Sequence, residues 1–196
     1  VLEGGAIDVN GMGSILLTKE CLLSKIQQRN FGIKKKDYEN MLSKFLNVNN
    51  FIWLHKGIKG DDTHGHIDDI CRFVSPDTIM TAIENNKKDV NYKILQTNLN
   101  ILKKAKNING KNFNLIKIPM PKAIFINKIR VPASYLNFLI CNKSVLLPLF
   151  NDKNDKVVIK IFKKFFKTRK VIGIDCTNLI WGFGAIHCMT QSEPSV

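Results

Sequence analysis

Apolar residues recur at helical spacing in three segments of the chain. In residues 38–46, 92–102 and 157–166 they follow the i, i+3, i+4, i+7 pattern of a helix with one buried face, least regularly in the second segment. The stripes consist of Tyr38, Met41, Leu42, Phe45 and Leu46, then Tyr92, Leu95, Leu99 and Leu102, and finally Val157, Val158, Ile161, Phe162, Phe165 and Phe166. The pattern predicts three amphipathic helices packed on a core.

Two short strand-like runs precede each stripe, and a third run follows it. Turn-forming residues separate the first two runs of each set, at Asn10-Gly11, Ser75-Pro76-Asp77 and Asn142-Lys143. The runs cover residues 6–9, 14–18 and 51–54, then 70–74, 78–83 and 114–119, and finally 136–141, 144–149 and 171–175. The sequence therefore predicts an α/β (α+β) fold of three ββαβ units, spanning roughly residues 5–58, 66–121 and 131–176. Repeats of this length are typical of modules arranged around an axis.

The chain of 196 residues is 44% hydrophobic, which is enough for a packed core, and its length suits a single domain. No apolar run approaches the roughly 20 residues that cross a bilayer, and no signal-peptide pattern opens the chain. We therefore expect a cytoplasmic protein with no membrane partner. Because the chain begins at Val1 rather than at Met, we also expect a segment to precede it.

The formal net charge of +14 lies in residues 81–196, because residues 1–80 hold ten basic and ten acidic residues. Of the 30 basic residues, 26 are Lys, whereas proteins that read bases and phosphates favour Arg. Several of these lysines fall on the outer face of the third predicted helix. We interpret the charge as a solvated surface and expect no nucleic-acid partner. The alternative is a nucleic-acid binder that uses residues 87–130 and 143–170.

Five cysteines are spread along the chain without a CxxC pair, at Cys21, Cys71, Cys141, Cys176 and Cys188. This spacing indicates neither a disulfide scaffold nor a structural zinc ribbon, so we expect buried thiols inside strands. The exception is Cys188, which follows a glycine-rich segment.

Unusual polar residues lie at the junctions of the predicted units, in residues 2–5, 60–69 and 181–188. Equivalent junctions of a radial repeat lie at the same end of its axis. Glu3, His66, Asp68 and Cys188 are therefore expected to converge on one pocket. Together they would supply a carboxylate, an acid/base, a binder of cations and a nucleophile.

This set of groups suits chemistry on a guanidinium compound. A cysteine nucleophile needs a lowered thiol pKa, which an imidazolium or a cationic substrate can supply. The imidazole needs a carboxylate to fix its tautomer, and a further carboxylate in a dry pocket binds a planar cation with several N–H donors. The thiolate would attack the guanidinium carbon, and the His would protonate the departing ammonia. Water activated by the same His would then hydrolyse the S-amidino intermediate.

Four stretches carry a resemblance to a known family: LEGG at 2–5, GDDTHGHID at 60–68, RVPASYLNF at 130–138 and GAIHCMTQ at 184–191. At these stretches the chain resembles the agmatine deiminase and bacterial peptidylarginine deiminase family, of the guanidino-group-modifying (pentein) superfamily. The resemblance implies a propeller of five ββαβ modules. This chain would be the C-terminal portion, a single partial catalytic domain over residues 1–196. It would hold about three modules of an incomplete ring, followed by a cysteine loop at 181–191.

The resemblance also implies the roles of the four residues at the junctions. Cys188 would be the amidino-accepting nucleophile and His66 the general acid/base. Glu3 would be the carboxylate partner of His66, and Asp68 a guanidinium ligand. No metal or other cofactor is implied.

The substrate pocket is expected to contain Asp62, Gly184 and Trp181 besides Asp68. The pattern is closer to agmatine deiminase, which converts agmatine and water to N-carbamoylputrescine and ammonia on the route to putrescine and other polyamines. The expected partner is thus a small cationic guanidino substrate. A peptidylarginine deiminase is the alternative within the family.

Two departures from the family pattern bear on this prediction. The family's N-terminal half, with a Trp-x-Arg-Asp-like motif that supplies a second guanidinium-binding Asp, has no counterpart here. In the cysteine loop, Phe183 and Ala185 stand where Gly and Asn are expected, which predicts a different loop shape or substrate contact. A truncated, inactive remnant and a subunit that needs the missing half in trans are therefore alternatives, and a homo-oligomer is also compatible with the sequence.

Simpler interpretations of the same residues stay open. The His64-Gly65-His66 segment with its flanking Asp residues is compatible with a metal site, but no third His lies in a fitting context, so none is predicted. The segment that holds His66 and Asp68 is also compatible with a plain polar turn, and Cys188 with a structural thiol.

Two other groups of residues have simpler interpretations too. Glu3 is compatible with a frayed terminus. Tyr135 and Asn137 are interpreted as strand residues rather than as ligands.

Overall fold

Three three-stranded sheets form the framework of the protein in a computed structural model, which describes residues 1–193. The last three residues of the predicted domain, 194–196, lie outside the described part. In each sheet the first two strands pair antiparallel, and the second and third pair parallel across a connecting helix. The mixed α/β fold predicted from the sequence is confirmed, whereas the five-module propeller stays a prediction.

The strands and helices of the three sheets follow one another along the chain. The first sheet contains β1 (Asp8–Val9), β2 (Ser14–Thr18) and β3 (Asn50–Leu54), with α1 (Lys19–Leu23) and α2 (Lys35–Leu46) between β2 and β3. The second contains β4 (Cys71–Ser75), β5 (Thr78–Ile83) and β6 (Asn114–Pro119), with α3 (Asn91–Lys104) before β6. A hairpin of β7 (Ile124–Ile126) and β8 (Ile129–Val131) follows. The third sheet contains β9 (Leu139–Ile140), β10 (Ser144–Leu149) and β11 (Lys170–Asp175), with α4 (Lys153–Phe165) before β11.

Two clusters of buried side chains hold these elements together. The larger contains residues of all three sheets, for example Leu54, Ile79 and Leu147, and also Ile186 beside the predicted nucleophile. The smaller lies between the first sheet and its helices. Strand β2 is buried on both faces because Leu16 faces the larger cluster while Ile15 and Leu17 face the smaller one. Burying a side chain of this size stabilises the fold by about 1.5–3 kcal/mol.

Short segments depart from the sequence prediction. The run predicted at 136–141 forms a strand only at Leu139–Ile140, because the Asn137 and Phe138 carbonyl oxygens accept hydrogen bonds from His187 N and Arg72 Nη1. Asn137 therefore lies in a loop and not in a strand. Tyr135 also lies outside the strand, and its buried hydroxyl donates to Asp155 Oδ1 at 2.5 Å.

The first strand and the first cysteine also differ from expectation. The run predicted at 6–9 is a strand only at Asp8–Val9, because Gly4–Ala6 forms a 3-10 turn in which Ala6 N donates to Glu3 O. Cys21 is a buried thiol as predicted, but it lies in a helix, α1, whose N-cap Thr18 accepts from Cys21 N. Within residues 1–193, no helix is long and apolar enough to cross a membrane.

Candidate active site

Residues from the three predicted junctions meet around one cavity of about 540 Å³. Their segments, residues 2–5, 60–69 and 181–188, are at least 55 residues apart in the chain, so the fold brings them together. The lining residues are Glu3, Gly4, Gly5, Asp62, Thr63, His66, Asp68, Gly182, Phe183, Gly184, His187, Cys188, Thr190, Gln191 and Ser192.

The loop that carries His66 is folded around the Asp61 carboxylate. Its oxygens accept hydrogen bonds from the backbone N–H groups of Thr63 at 2.8 Å, Gly65 at 2.7 Å and His66 at 3.0 Å. Gly65 has a φ of +102°, a conformation that L side chains rarely adopt. Asp61 thus fixes the loop, and His66 enters the cavity wall with only 7% of its surface exposed.

Glu3 lies beside His66, with its Oε1 3.8 Å from His66 Nε2. The same oxygen accepts a hydrogen bond from Arg29 Nε at 2.9 Å. Arg29 also donates to the Thr63 carbonyl oxygen and so ties the first junction to the second. Burial acts to raise the pKa of the Glu3 carboxyl, but the hydrogen bond and the charge of Arg29 hold it below its usual value. Glu3 is therefore ionised and placed to act on His66.

A second carboxylate, Asp68, is fully buried at the floor of the cavity. Its Oδ2 lies 2.7 Å from His187 Nδ1 and 3.6 Å from Cys188 Sγ. The neighbouring Asp69 is also buried, and burial together with the negative charges of Asp68 and Asp61 raises the pKa of its carboxyl well above the usual range. The floor of the site is thus rich in carboxyl groups, which suits a cationic ligand.

Asn137 holds the cysteine loop in place. Its backbone oxygen accepts from His187 N at 3.1 Å, and its Oδ1 accepts from Cys188 N at 3.1 Å. Its Nδ2 donates to Cys188 Sγ at 2.9 Å and to Asp69 Oδ1 at 3.1 Å. The side chain is fully buried, so this fourfold contact fixes the position of the sulfur relative to the carboxylates.

The environment of Cys188 favours the protonated thiol in the free protein. Cys188 is an exposed residue, yet its sulfur lies against Asn137 and Asp68. Burial of the sulfur and the negative charges of Asp69 and Asp68 raise the pKa of the thiol well above its usual range, and the hydrogen bond from Asn137 opposes the shift only in part. A nucleophile at this position needs positive charge beside it to form the thiolate.

Three buried polar atoms in the cavity wall have no hydrogen-bond partner within residues 1–193. They are Glu3 Oε2, His66 Nε2 and Asp68 Oδ1. A buried polar atom without a partner costs about 1–3 kcal/mol, so their convergence indicates a site for a polar ligand.

Most of the sequence-predicted site residues come together here. Glu3, His66, Asp68 and Cys188 line the same cavity, as do Asp62 at its exposed rim and the buried Gly184. Trp181 is not among the lining residues. Its side chain is 61% exposed on the 3-10 turn Leu179–Gly182, and Phe183 stands in the wall instead.

Sequence reasoning missed two contributors, Asn137 and His187. Asn137 was interpreted as a strand residue, and no pattern near it indicates a contact 51 residues away. His187 contacts the Asp68 carboxylate. The only signal for this contact in the sequence is that His187 directly precedes the predicted nucleophile, Cys188.

The described residues contain two groups with metal-ligating atoms close together: Glu3 with Cys21 and His66, and Asp68 with Asp69 and Cys188. The two histidines of the His64-Gly65-His66 segment, which the sequence made compatible with a metal site, do not face the same cavity. His64 is exposed and lines a different cavity, whereas His66 is buried in this one.

Comparison with known proteins relates the chain to one family of deiminases. The model of the family described as Porphyromonas-type peptidyl-arginine deiminase matches residues 1–194. A Legionella pneumophila (strain Paris) protein named "Putative agmatine deiminase" is 36% identical over 195 residues, which are 99% of this chain and 56% of that protein.

Two solved structures support the same relationship. A Cys-to-Ser variant of C. jejuni agmatine deiminase with substrate bound matches at 35% identity and a TM-score of 0.90, over 97% of this chain and 55% of that one. The agmatine deiminase of Enterococcus faecalis matches at 31% identity and a TM-score of 0.92, over 99% of this chain and 57% of that one. The chain thus spans little more than half the length of the proteins that it matches.

Proposed function

The chain belongs to the Porphyromonas-type peptidyl-arginine deiminase family, and on this premise we propose that its cavity is the catalytic part of an agmatine deiminase-like hydrolase. The reaction would convert agmatine and water to N-carbamoylputrescine and ammonia, a step toward putrescine and other polyamines. The observation that carries the proposal is the meeting of Glu3, His66, Asp68 and Cys188 around one cavity with three unpartnered buried polar atoms.

The proposed roles follow from the contacts of each group. Asp68 Oδ1 would accept hydrogen bonds from the substrate guanidinium, since its Oδ2 is held by His187. The nearby sulfur of Cys188 would then attack the guanidinium carbon. His66 would act as general acid and base, with the Glu3 carboxylate 3.8 Å from its Nε2.

The substrate itself would activate the nucleophile. Asp68 and Asp69 raise the pKa of the Cys188 thiol in the free protein. A guanidinium bound at Asp68 would cancel that negative charge and lower the thiol pKa, so that the thiolate forms only when its target is present. Asp68 would therefore both bind the substrate and control the reactivity of the sulfur.

The reaction would proceed in two steps. The bond from sulfur to the guanidinium carbon forms first, and one C–N bond breaks as His66 gives a proton to the departing ammonia. Water, deprotonated by His66, then attacks the S-amidino carbon. The C–S bond breaks, Cys188 is regenerated and the ureido product leaves.

Agmatine is favoured over peptidylarginine by the charges at the cavity rim. Agmatine carries a second positive charge at its amine, and the exposed Asp62 lies at the mouth of the cavity. A peptidylarginine deiminase is the second candidate, because the matching family model is described by that substrate.

The proposal concerns a chain that spans little more than half of its relatives. The part that it does not cover would complete the pocket around the tail of the substrate. The activity of the 196-residue chain is therefore expected to rise when that part is supplied in trans.

Turnover of agmatine tests the proposed function. N-carbamoylputrescine and ammonia are measured for the chain alone and together with the separately produced remainder of a relative. Cys188→Ala is expected to abolish turnover in both settings, whereas Cys176→Ser, which alters a buried thiol outside the cavity, keeps it. Full turnover by Cys188→Ala would contradict the proposal.

A further inference from the structure

A group of metal-ligating atoms lies behind the wall of the cavity and is not used by the proposed reaction as a unit. The donor atoms of Glu3, Cys21 and His66 are all within 4.8 Å of one another. Cys21 is fully buried in α1 and does not line the cavity. Glu3 and His66 do line it, so two of the three groups face the cavity.

Two of the three donors are unsatisfied in the described part of the chain. Only 7% of the His66 surface is exposed, and its Nε2 has no hydrogen-bond partner within residues 1–193. Glu3 Oε2 is likewise buried without a partner, because Arg29 binds the other oxygen, Oε1. Both atoms belong to residues of the cluster, and buried polar atoms without a partner indicate a place where a ligand would be stabilised.

We propose that Glu3, Cys21 and His66 bind one Zn²⁺ ion, with a fourth position open to the cavity. A thiolate, an imidazole and a carboxylate are together the donor set of zinc, whereas magnesium and calcium prefer oxygen donors alone. Zinc bonds of about 2.0–2.3 Å place tetrahedral ligands roughly 3.5 Å apart. The observed separations of up to 4.8 Å therefore need a contraction of roughly 1 Å.

The charges around the cluster favour a cation. Burial raises the pKa of the Cys21 thiol to about 12; the positive charge of Arg29 opposes this shift, and the negative charges of Glu3, Asp61 and Glu20 add to it. Three carboxylates thus face one guanidinium around the sulfur. Zinc binding replaces the S–H bond of Cys21 by a sulfur–zinc bond, and the displaced proton leaves to solvent.

Zinc at this site would inhibit the proposed deiminase, a consequence that rests on the proposed function. His66 Nε2 cannot exchange protons while it is bound to a metal, and Glu3 would no longer act on the imidazole. Metal binding itself does not depend on the reaction, so the two claims are tested by different measurements.

Spectroscopy with cobalt tests the site directly. The metal-free 196-residue chain is titrated with Co²⁺, and Zn²⁺ affinity is measured by calorimetry. We expect one ion per chain and a thiolate-to-cobalt charge-transfer band. Cys21→Ser should remove that band and weaken Zn²⁺ binding by about tenfold or more. Cys176→Ser, another buried thiol, is the matched control and should change neither.

The competing location is the second group, Asp68, Asp69 and Cys188. A band that is lost in Cys188→Ser and persists in Cys21→Ser would place the metal there and overturn the proposal. A chain that binds neither ion at micromolar concentration would overturn it too.

A variant at a less buried position keeps the proposal testable if Cys21→Ser fails to fold. The Glu3 side chain is 33% exposed, so Glu3→Gln is compatible with the fold. It should weaken Zn²⁺ binding by about tenfold while the charge-transfer band remains. Unchanged Zn²⁺ affinity in Glu3→Gln would overturn the proposal. If zinc binds as expected and the protein shows no agmatine turnover, the metal site stands and the proposed function fails.

Discussion

Asn137 joins Cys188, the proposed nucleophile, to the buried Asp69 carboxyl. It contacts the backbone of His187 and Cys188, the Cys188 sulfur and the Asp69 carboxyl. A side-chain amide suits this position because it offers donors and an acceptor at once, without adding charge beside two carboxyl groups. The reactivity of the sulfur therefore depends on a neutral group in a neighbouring loop.

Replacing Asn137 by Ala is expected to destabilise the protein and to make Cys188 less acidic. The free energy of unfolding should fall by about 1–3 kcal/mol, because buried partners lose their hydrogen bonds. The thiol pKa should rise because the donor to sulfur is gone. Urea denaturation and the pH dependence of Cys188 alkylation, located by peptide mass spectrometry, measure both effects.

Asn98→Ala is the matched control for Asn137→Ala. Asn98 is equally buried, accepts from His55 N and donates to Lys56 O, and does not line the cavity. It should reduce stability to a similar extent without moving the pH profile of alkylation. Identical profiles for the two Ala variants would show that Asn137 has no special effect on the sulfur.

Asp69→Asn is expected to stabilise the protein at neutral pH. The pKa of the buried Asp69 carboxyl is raised in the folded state, so ionisation there is unfavourable. A raised folded-state pKa contributes stability at low pH that is lost as the pH rises through it. Asn keeps an Oδ1 that accepts from Asn137 and never carries the charge, so the free energy of unfolding should rise by about 1 kcal/mol or more at about pH 8.

The sign of this effect is checked by its pH dependence. Urea denaturation at about pH 8 should give the full gain of Asp69→Asn, and at about pH 4 the gain should shrink as the Asp69 carboxyl of the unmodified chain takes up its proton. A gain of equal size at both pH values would indicate that ionisation of Asp69 is not its cause.

At the scale of elements, strands and helices with strong patterns were predictable, whereas short elements were not. Strands β2, β5, β6 and β10 have the predicted bounds, because apolar runs between turn residues define them. The β7–β8 hairpin was missed. Its two-residue turn, Asn127-Lys128, has positive φ at both positions, and Lys gives no signal for that conformation. Contacts that are distant in sequence, such as those that shorten β9, cannot be deduced from a local pattern.

The cysteine loop shows how closely an element must fit its neighbours. A Cβ on Gly184 would lie 2.7 Å from Cys188 Cβ and 3.3 Å from Cys188 Sγ, whereas a Cβ on Gly182 would meet nothing within 4 Å. Both glycines line the cavity and neither has a positive φ. The departure at Phe183 is accommodated by a left-handed conformation, with a φ of +59°.

Gly184→Ala and Gly182→Ala form a matched pair that tests this fit. The first should lower the free energy of unfolding by about 1–3 kcal/mol and displace the sulfur, because the added methyl group overlaps Cys188. The second should change stability by less than about 1 kcal/mol. Denaturation and the rate of Cys188 alkylation compare the two, and equal effects would show that the close approach at Gly184 does not position the Cys188 sulfur.

At the scale of the whole molecule, the lysines that give the chain its positive charge are not among the residues that line the acidic cavity. The lysines of α4 and its C-terminal end, namely Lys156, Lys160, Lys163, Lys164 and Lys167, are exposed as the sequence predicted. Charges on the surface are screened beyond about 8–10 Å at physiological salt. Glu3, Asp62 and Asp68 are the acidic residues that line the cavity and that a guanidinium compound would meet there.

The mixed α/β fold and the meeting of the junction residues around one cavity were predictable from the repeated pattern of strands and helices, whereas the arrangement of the units around an axis stays a prediction. The four residues proposed for chemistry were found in this way from the sequence. The position of Trp181 was not, because a 3-10 turn directs its side chain to solvent.

Nucleic-acid binding tests whether the basic surface has a function of its own. We expect no detectable binding of duplex or single-stranded oligonucleotides at about 0.15 M salt, since the charge is dispersed and mostly Lys. Fluorescence anisotropy at several salt concentrations measures this. Tight binding that weakens steeply with salt would support the alternative of a nucleic-acid binder.

Intact-protein mass spectrometry during turnover tests the central claim most directly. The chain is mixed with agmatine, alone and with the remainder of a relative, and quenched in acid within the first turnovers. We predict an added mass equal to agmatine minus ammonia, located by peptide mapping on Cys188 and absent from Cys188→Ser. No added mass in either mixture, or an adduct on a different cysteine such as the partly exposed Cys141, would contradict the assignment of Cys188 as the nucleophile.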